Sequence, residues 1–201
     1  VICKIIEKDE DMPIRPDGVR ADMIIDPGPV FHRMNIGQSY EQYMTCAAYD
    51  VTVRIAHRLG FIKTLHADEF EKCQDVTQDV VLGLNTELFD DTYEYLMSFY
   101  RVFNDIMPDE FSKLSREDQA EHICDIINDR CCRIFLPVDN IRLPEEIVMD
   151  LERLFKPTRT TIKYVDPSGV LVESMKKIRI AKVYMFLLDK LASEWSATSM
   201  A

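Results

Sequence analysis

Arg33 is the residue of this sequence whose type and position are best suited to binding chemistry. It follows the stretch "DPGPVFH" (26–32) and stands two residues before Asn35, where an apolar helical pattern begins. Asn35 can cap that helix, and Gln38 stands where its side chain can reach back to the cap. Because the first turn of a helix has free backbone N–H groups, an arginine beside it could bind a phosphate group.

Spacing alone leaves a second interpretation of Arg33 open, and favours it. Asp26 and Glu41 are close in the sequence, and both carry a carboxylate. An ion pair with either one would give the arginine a purely structural role. The residues alone therefore present phosphate binding as one of two possibilities.

Metal binding and covalent chemistry find less support in the sequence. Cys131 and Cys132 are adjacent, which does not suit a single tetrahedral zinc ion. The acidic run 9–11 could hold magnesium, but a solvated turn is the simpler interpretation. Neither a phosphate-binding glycine loop nor a nucleophile elbow occurs. We expect no metal ligand and no catalytic group in this chain.

The composition limits the classes of partner. The chain has 201 residues and a formal net charge of −11, so bulk electrostatics would repel nucleic acid, and any phosphate contact must come from a few placed cations. Its six cysteines form no C-x-x-C pair and are expected to be reduced thiols of a cytoplasmic protein. No apolar run approaches the length of a membrane span. The abrupt apolar opening "VICKIIEK" suggests a piece of a larger chain.

Hydrophobic periodicity predicts an α+β fold in which helices interrupt a sheet. The first and last thirds contain strand-like runs, and the middle is helical. We expect residues 1–35 and 159–190 to share one sheet. The expected strands are 1–6, 19–25, 159–166, 170–174 and 177–188, and the expected helices are 35–60, 90–107, 115–129 and 144–155. Residues 61–88 are expected to form a loop with one short helix.

Two blocks of the sequence resemble the C-terminal half of the β subunit of multisubunit DNA-directed RNA polymerases. The first, "EDMPIRPDGVRADMIIDPGPVFHRMNIGQ" (10–38), follows a family signature that ends in R-M-N-I-G-Q. The second combines "IRLPEEIVMDLERL" (141–154), "TIKYVDPSGVLVE" (161–173) and "KIRIAKVYMFLLDKL" (177–191) in the family order. Together the blocks cover about half of the chain, and residues 61–115 match no pattern that we can name.

This resemblance implies a fold and a role for each part of the chain. Residues 1–60 and 159–195 would form part of a double-psi β-barrel and hybrid-binding region at the active centre, and residues 61–158 would be a mainly helical insertion. The arginine of the R-M-N-I-G-Q motif corresponds to Arg33, which would then bind the triphosphate of the incoming nucleotide. The resemblance thus favours phosphate binding over the ion pair.

The resemblance also implies cofactors and partners. The catalytic Mg²⁺ would be held by aspartates of a β′-like subunit, so the polymerase would be active only with that partner. Other polymerase subunits, the DNA template, the RNA–DNA hybrid and nucleoside triphosphates would complete the complex, without a membrane.

Departures from the family pattern point to a divergent member. His32 stands where the family usually has serine, and no cation follows Lys190, where the family continues into a basic stretch. Such divergence would suit a polymerase encoded by a giant bacteriophage, located in the host cytoplasm or in the virion.

Two other functions remain open from the sequence. The chain could be a non-catalytic, acidic helical module for protein interaction, with a chance match to the signature. A single-subunit nucleotidyltransferase would need its own acidic metal site, for which Asp9 and Asp11 are the only candidates.

Overall fold

A computed structural model describes residues 5–25, 28 and 36–184 of the chain. The described residues form α1 (Ile36–Arg58), α2 (Ala67–Glu71), α3 (Gln78–Leu82), α4 (Thr86–Tyr100), α5 (Ile106–Phe111), α6 (Arg116–Asn128), α7 (Pro144–Leu154), β1 (Lys163–Val165) and β2 (Leu171–Glu173). A short 3₁₀ turn, Asp9–Asp11, precedes them. The mixed α+β class is therefore confirmed, with a sheet much smaller than the one expected.

Helix α1 lies at the centre of the described residues. It contacts α2, α4, α6 and α7. The apolar face predicted from the sequence is the face that it buries, from Met44 through Ala47 and Val51 to Ile55. Ile36, at the start of the same face, is exposed. Buried alanines along α1 let the neighbouring helices approach closely, because a methyl group occupies little space between them.

The helix predicted over 90–107 is wrong at both ends. Helix α4 begins at Thr86, four residues earlier, because the side chain of Asn85 caps it and accepts hydrogen bonds from the N–H groups of Glu87 (2.8 Å) and Leu88 (3.4 Å). After α4 ends, Asn104 accepts from the N–H groups of the first residues of α5 and so starts a separate helix. The apolar period continues across this break, which explains why the sequence suggested one helix.

Elsewhere the helical predictions are largely confirmed. Helices α1, α6 and α7 agree with the predicted ranges within a residue or two. Ser115 caps α6 by accepting from the N–H of Asp118 (3.2 Å), and Pro144 opens α7. The segment 61–88 contains two short helices, α2 and α3, instead of one. Helix α2 buries the Phe70 side chain, and α3 buries the Val81 side chain.

The strands predicted over 159–166 and 170–174 are present in shortened form, whereas 19–25 and the described part of 177–188 form no strand and only isolated bridges at Arg20 and Ile178. β1 and β2 pair in antiparallel register around the turn 166–169, where Gly169 has a positive φ of 85°. Ile14 forms isolated bridges to both Lys163 and Arg20, so segment 5–25 lies beside the hairpin but contributes no strand to its sheet. Beyond the hairpin, Thr160 and Ile178 form one more antiparallel bridge, and among the described residues no further strand pairs with β1 or β2. The double-psi barrel stays a prediction.

The division into an active-centre part and a helical insertion also stays a prediction. Helix α1, assigned to the first part, packs into one apolar core with helices from 61–158. Aromatic rings fill the centre of this core: Phe99 meets Phe103 and Phe155 edge to face, at 5.1 and 5.3 Å between ring centroids. The helices on both sides of residue 61 thus depend on the same packing.

Three polar side chains at this core, those of Tyr100, His122 and Cys132, are linked by hydrogen bonds. The Tyr100 hydroxyl lies 3.1 Å from Nε2 of His122, and the Cys132 thiol donates to the Tyr100 oxygen at 3.4 Å. The His122 ring also packs on Phe111, with centroids 4.4 Å apart. Burial lowers the pKa of His122 and outweighs the negative charge of Asp125, which acts to raise it. Burial therefore favours the neutral imidazole in the folded chain.

The hydrogen-bonded group of Tyr100, His122 and Cys132 predicts that the stability of the protein depends on pH. Because the folded state binds the His122 proton less readily than the unfolded state, the free energy of unfolding should fall as the pH drops below about 6.5, the ordinary pKa of histidine. His122→Gln keeps an acceptor for Tyr100 but cannot titrate, so the free energy of unfolding of this variant should fall less over the same pH range. Urea denaturation of both proteins at about pH 7.5 and about pH 5.5 measures the difference. An identical fall in both would contradict the assignment.

Candidate functional site

The predicted phosphate-binding residue, Arg33, lies outside the described residues, as do His32 and Asn35. The structure does describe both flanks of this segment, which end at Ile25 and begin again at Ile36. The contacts of the described residues show how each flank is held.

The first flank is held by a buried arginine that the sequence analysis did not single out. The Arg15 side chain is 1% exposed. Its Nε and Nη2 donate to the two carboxylate oxygens of Asp17 at 3.0 and 2.5 Å, and Nη2 also lies 3.5 Å from Oδ1 of Asp50 in α1. Its Nη1 donates to the backbone oxygen of Ile180 (3.3 Å). A guanidinium suits this position because its fork of donors can serve several acceptors at once.

Asp50 extends this arrangement to a fourth segment. Its second carboxylate oxygen accepts from the backbone N–H of Thr158 at 2.5 Å. We call Arg15, Asp17, Asp50, Thr158 and Ile180 the Arg15 cluster. It joins segment 5–25, α1, the connection after α7 and the segment after β2.

The ionisation of the cluster follows from its burial and charge. Burial opposes the charge on Arg15, but the hydrogen bond to Asp17 and the charge of Asp50 outweigh it and raise the pKa of the guanidinium. Beside the cluster, burial and then the charge of Asp50 raise the pKa of the Cys46 thiol to about 12. That thiol donates to the Thr158 oxygen (3.7 Å), so it stays protonated and is a poor nucleophile.

A tight turn places Arg15 and Asp17 together. The Gly18 N–H donates to the Arg15 oxygen (3.0 Å), and Gly18 has a φ of 91°, which glycine adopts without strain. A Cβ at Gly18 would lie 2.4 Å from the His66 ring, so the turn also needs a residue without a side chain. The Asp17 oxygen accepts from the Ala67 N–H (2.7 Å), which fixes the turn to the start of α2.

The second flank, the start of α1, is held from two sides. The Tyr40 hydroxyl donates to Glu145 of α7 (3.0 Å), and Glu41 accepts from the backbone N–H of Tyr184 (2.8 Å). The guanidinium of Arg179 stacks on Tyr43 at 3.8 Å from the ring centroid. Glu41, one of the two alternative ion-pair partners of Arg33, thus already accepts a hydrogen bond from another part of the chain.

The other residues considered from the sequence do not come together as a site. The residues of the acidic run 9–11 form the 3₁₀ turn, and Arg20 donates to the Asp9 backbone oxygen. Cys131 is exposed, whereas Cys132 is buried. In the part of the chain that the structure describes, no group of three histidine, cysteine or acidic side chains could hold a metal ion. Over the same residues, no helix is long and apolar enough to cross a membrane.

Comparison with known proteins identifies the class to which this arrangement belongs. The family described as RNA polymerase Rpb2, domain 6, matches residues 1–113, more than half of the chain. The chain therefore belongs to that family. The match includes segment 5–25, the segment that contains Arg33, and α1 to α5.

Individual relatives agree with the family. The chain is 43% identical over 56 residues to the DNA-directed RNA polymerase subunit beta of Oceanobacillus iheyensis and, over the same length, to that of Staphylococcus carnosus. It is 40% identical over 55 residues to that of Prochlorococcus marinus strain AS9601. These matches cover 27–28% of this chain and 5% of each relative. The resemblance to a β-subunit region is thus confirmed.

The Arg15 cluster predicts a large effect on stability. Arg15→Met would leave the carboxylate of Asp50 buried without its cation, and breaking a buried pair in this way costs about 3–5 kcal/mol. Arg101→Met is the matched control, because Arg101 is half exposed and pairs with exposed Glu94, and such pairs contribute about 1 kcal/mol or less. Urea denaturation measures both. Equal losses in the two variants would show that the cluster does not hold the flank.

Proposed function

We propose that this chain is the part of an RNA polymerase β-like subunit that binds the incoming nucleoside triphosphate during transcription. The observation that carries the proposal is the family match over residues 1–113, which spans the R-M-N-I-G-Q signature. The segment before the signature and the helix after it are each joined to the rest of the chain, by the Arg15 cluster and by the contacts of Tyr40 and Glu41.

Arg33 binds the triphosphate in this proposal. Its guanidinium donates charge-assisted hydrogen bonds to the β- and γ-phosphates, neutralises part of their charge and orients the nucleotide for attack on its α-phosphate. The polymerase's Mg²⁺ ions stabilise the attacking and leaving oxygens and are bound by aspartates of a β′-like partner. This chain contributes binding and orientation, and neither a metal ligand nor a proton-transfer group.

The remaining parts of the chain have structural roles in the same complex. Residues 1–60 and 159–195 belong to the double-psi barrel and hybrid-binding region, and 61–158 is a helical insertion. The partners are the β′-like subunit and other polymerase subunits, the DNA template and the RNA–DNA hybrid. With a net charge of −11, the chain contacts nucleic acid only through placed cations. The divergence outside the signature supports an origin in a giant bacteriophage.

Substitution of Arg33 tests the proposal. Arg33→Ala removes charge-assisted hydrogen bonds worth about 1.5–3 kcal/mol each, so kcat/KM for nucleotide incorporation should fall roughly ten- to a hundredfold. Arg33→Lys should retain only a fraction of the kcat/KM that Arg33→Ala loses, because an ammonium group cannot make the bidentate contact. The measurement is single-nucleotide addition on a preassembled scaffold across nucleotide concentrations, with the complete polymerase.

Asn35→Ala is the matched control for this experiment. It should cost about 1 kcal/mol of stability through the lost helix cap while leaving nucleotide binding largely intact. Wild-type kinetics for Arg33→Ala in a correctly assembled polymerase would instead assign Arg33 to an ion pair with Asp26 or Glu41.

A second function is favoured by the acidity of the helical part. In that case the chain is a non-catalytic protein-interaction module, and the Arg33 variants leave transcription unaffected. The sequence encoded upstream of Val1 also separates the two functions. The polymerase proposal expects a glycine- and lysine-containing segment within about ten residues upstream, as the family resemblance implies.

A further inference from the structure

The connection between α6 and α7 exposes apolar side chains to an unusual degree. We call residues 135–143 the apolar loop. Val138 and Ile141 are essentially fully exposed, at 109% and 96%, and Phe135, Leu136 and Leu143 are also exposed. Single exposed apolar residues are common on protein surfaces, but five within nine residues form a continuous stretch of the kind that marks interaction sites.

The apolar loop is held in place by its polar groups. Asn104 donates to the Phe135 oxygen (2.8 Å), and Asn140 donates to the oxygens of Phe103 (3.3 Å) and Arg142 (2.9 Å). Arg142 also donates to backbone oxygens at the end of α4. Asn140 and Arg142 of the loop therefore bind the protein, whereas its apolar side chains and Asp139 face outward.

Two prolines stiffen the same segment. Pro137 lies inside the loop, and Pro144 follows it as the first residue of α7. Each fixes its own φ and restricts the residue before it. A loop that is already ordered loses little conformational freedom when a partner covers it, so more of the buried apolar area contributes to affinity.

Charge limits what that partner can be. Residues 61–158, which include the loop, carry 22 acidic and 10 basic side chains, a net charge of −12, whereas the remaining residues carry 13 acidic and 14 basic ones. The arginines nearest the loop already face carboxylates: Arg133 pairs with Asp129, and Arg142 pairs with Asp150. Asp139 stands exposed between Val138 and Ile141.

This distribution disfavours three kinds of occupant. Nucleic acid and an anionic membrane surface would meet like charge, and so would the same face of a second copy of the chain. A protein segment with apolar side chains and at least one lysine or arginine fits both the exposed apolar groups and the exposed carboxylate of Asp139.

We propose that the apolar loop is a docking surface for such a basic, apolar segment of another polypeptide of the polymerase. The inference rests on the proposed function, because it takes the partner from the same complex. The partner segment places its apolar side chains over Val138 and Ile141 and a cation beside Asp139.

Site-specific photo-crosslinking tests where the loop docks. A benzophenone amino acid replaces Val138 in the full-length polypeptide that carries this sequence, and the complete polymerase is reconstituted and irradiated. The matched control replaces Val80, a half-exposed valine of α3 in the same acidic part. We expect Val138 to cross-link to a lysine- or arginine-containing segment of another polymerase polypeptide, and Val80 not to reach that segment. Cross-links to nucleic acid or to a second copy, or none, would overturn the proposal.

Substitution at the same positions tests the energetics. Val138→Asp places a carboxylate where apolar area should be buried, so affinity for the rest of the polymerase should fall at least about tenfold. Val80→Asp should leave it unchanged. Asp139→Lys should weaken binding as well, and more at low salt than at high salt, because it repels the partner's cation. Since Val138 and Asp139 are exposed, thermal melting should confirm that the variants fold.

The outcomes separate the two proposals. If the Val138→Asp polymerase assembles with wild-type affinity and incorporates nucleotides normally, the docking proposal is wrong and the proposed function stands. If the wild-type polypeptide does not assemble into a polymerase at all, both are wrong.

Discussion

The burial of one guanidinium is the constraint on which the arrangement of this chain depends. Arg15 cannot leave water unless two carboxylates and a carbonyl oxygen replace its hydration, and these acceptors come from the turn at 17, from α1 and from the segment after β2. Every segment that supplies an acceptor is therefore fixed relative to the others. An apolar contact would tolerate sliding by an ångström, whereas a fork of directed hydrogen bonds does not.

The helical part is held together by a different kind of force. Its core is aromatic and aliphatic, and α1 contributes small residues that let the surrounding helices pack on it. Such packing is non-directional and depends on volume, so it can tolerate sequence change as long as the space stays filled. The family match accordingly extends through α2 to α5, although no motif in that stretch indicated the family from the sequence.

The sequence predicted the elements that local signals determine. Helices α6 and α7 have a clear apolar period and start signals at Ser115 and Pro144, and both were placed correctly. The break at Asn104 was missed, because the apolar period runs through it and only the side-chain hydrogen bonds reveal it. Strand lengths were overestimated, since pairing depends on neighbours distant in the sequence. The Arg15 cluster was missed for the same reason, and only the position of Arg15 beside the D-G turn hinted at a special role. The placement of Arg33 beside a substrate comes from the resemblance, which periodicity alone could not have supplied.

The hydrogen bond between Arg15 and Ile180 also sets an order of events during synthesis. Its two residues are 165 positions apart, so this bond can form only after nearly all of the described chain has left the ribosome. The contacts among the helices from α1 to α7 span fewer positions in the sequence, 105 in the case of Tyr40 and Glu145, so these helices can pack earlier. Chains truncated before residue 180 can still anchor segment 5–25, through the bonds of Arg15 to Asp17 and Asp50 and the bond from Ala67 to Asp17. In such chains the Nη1 group of Arg15 would lack its protein acceptor, and only the segment after β2 supplies it.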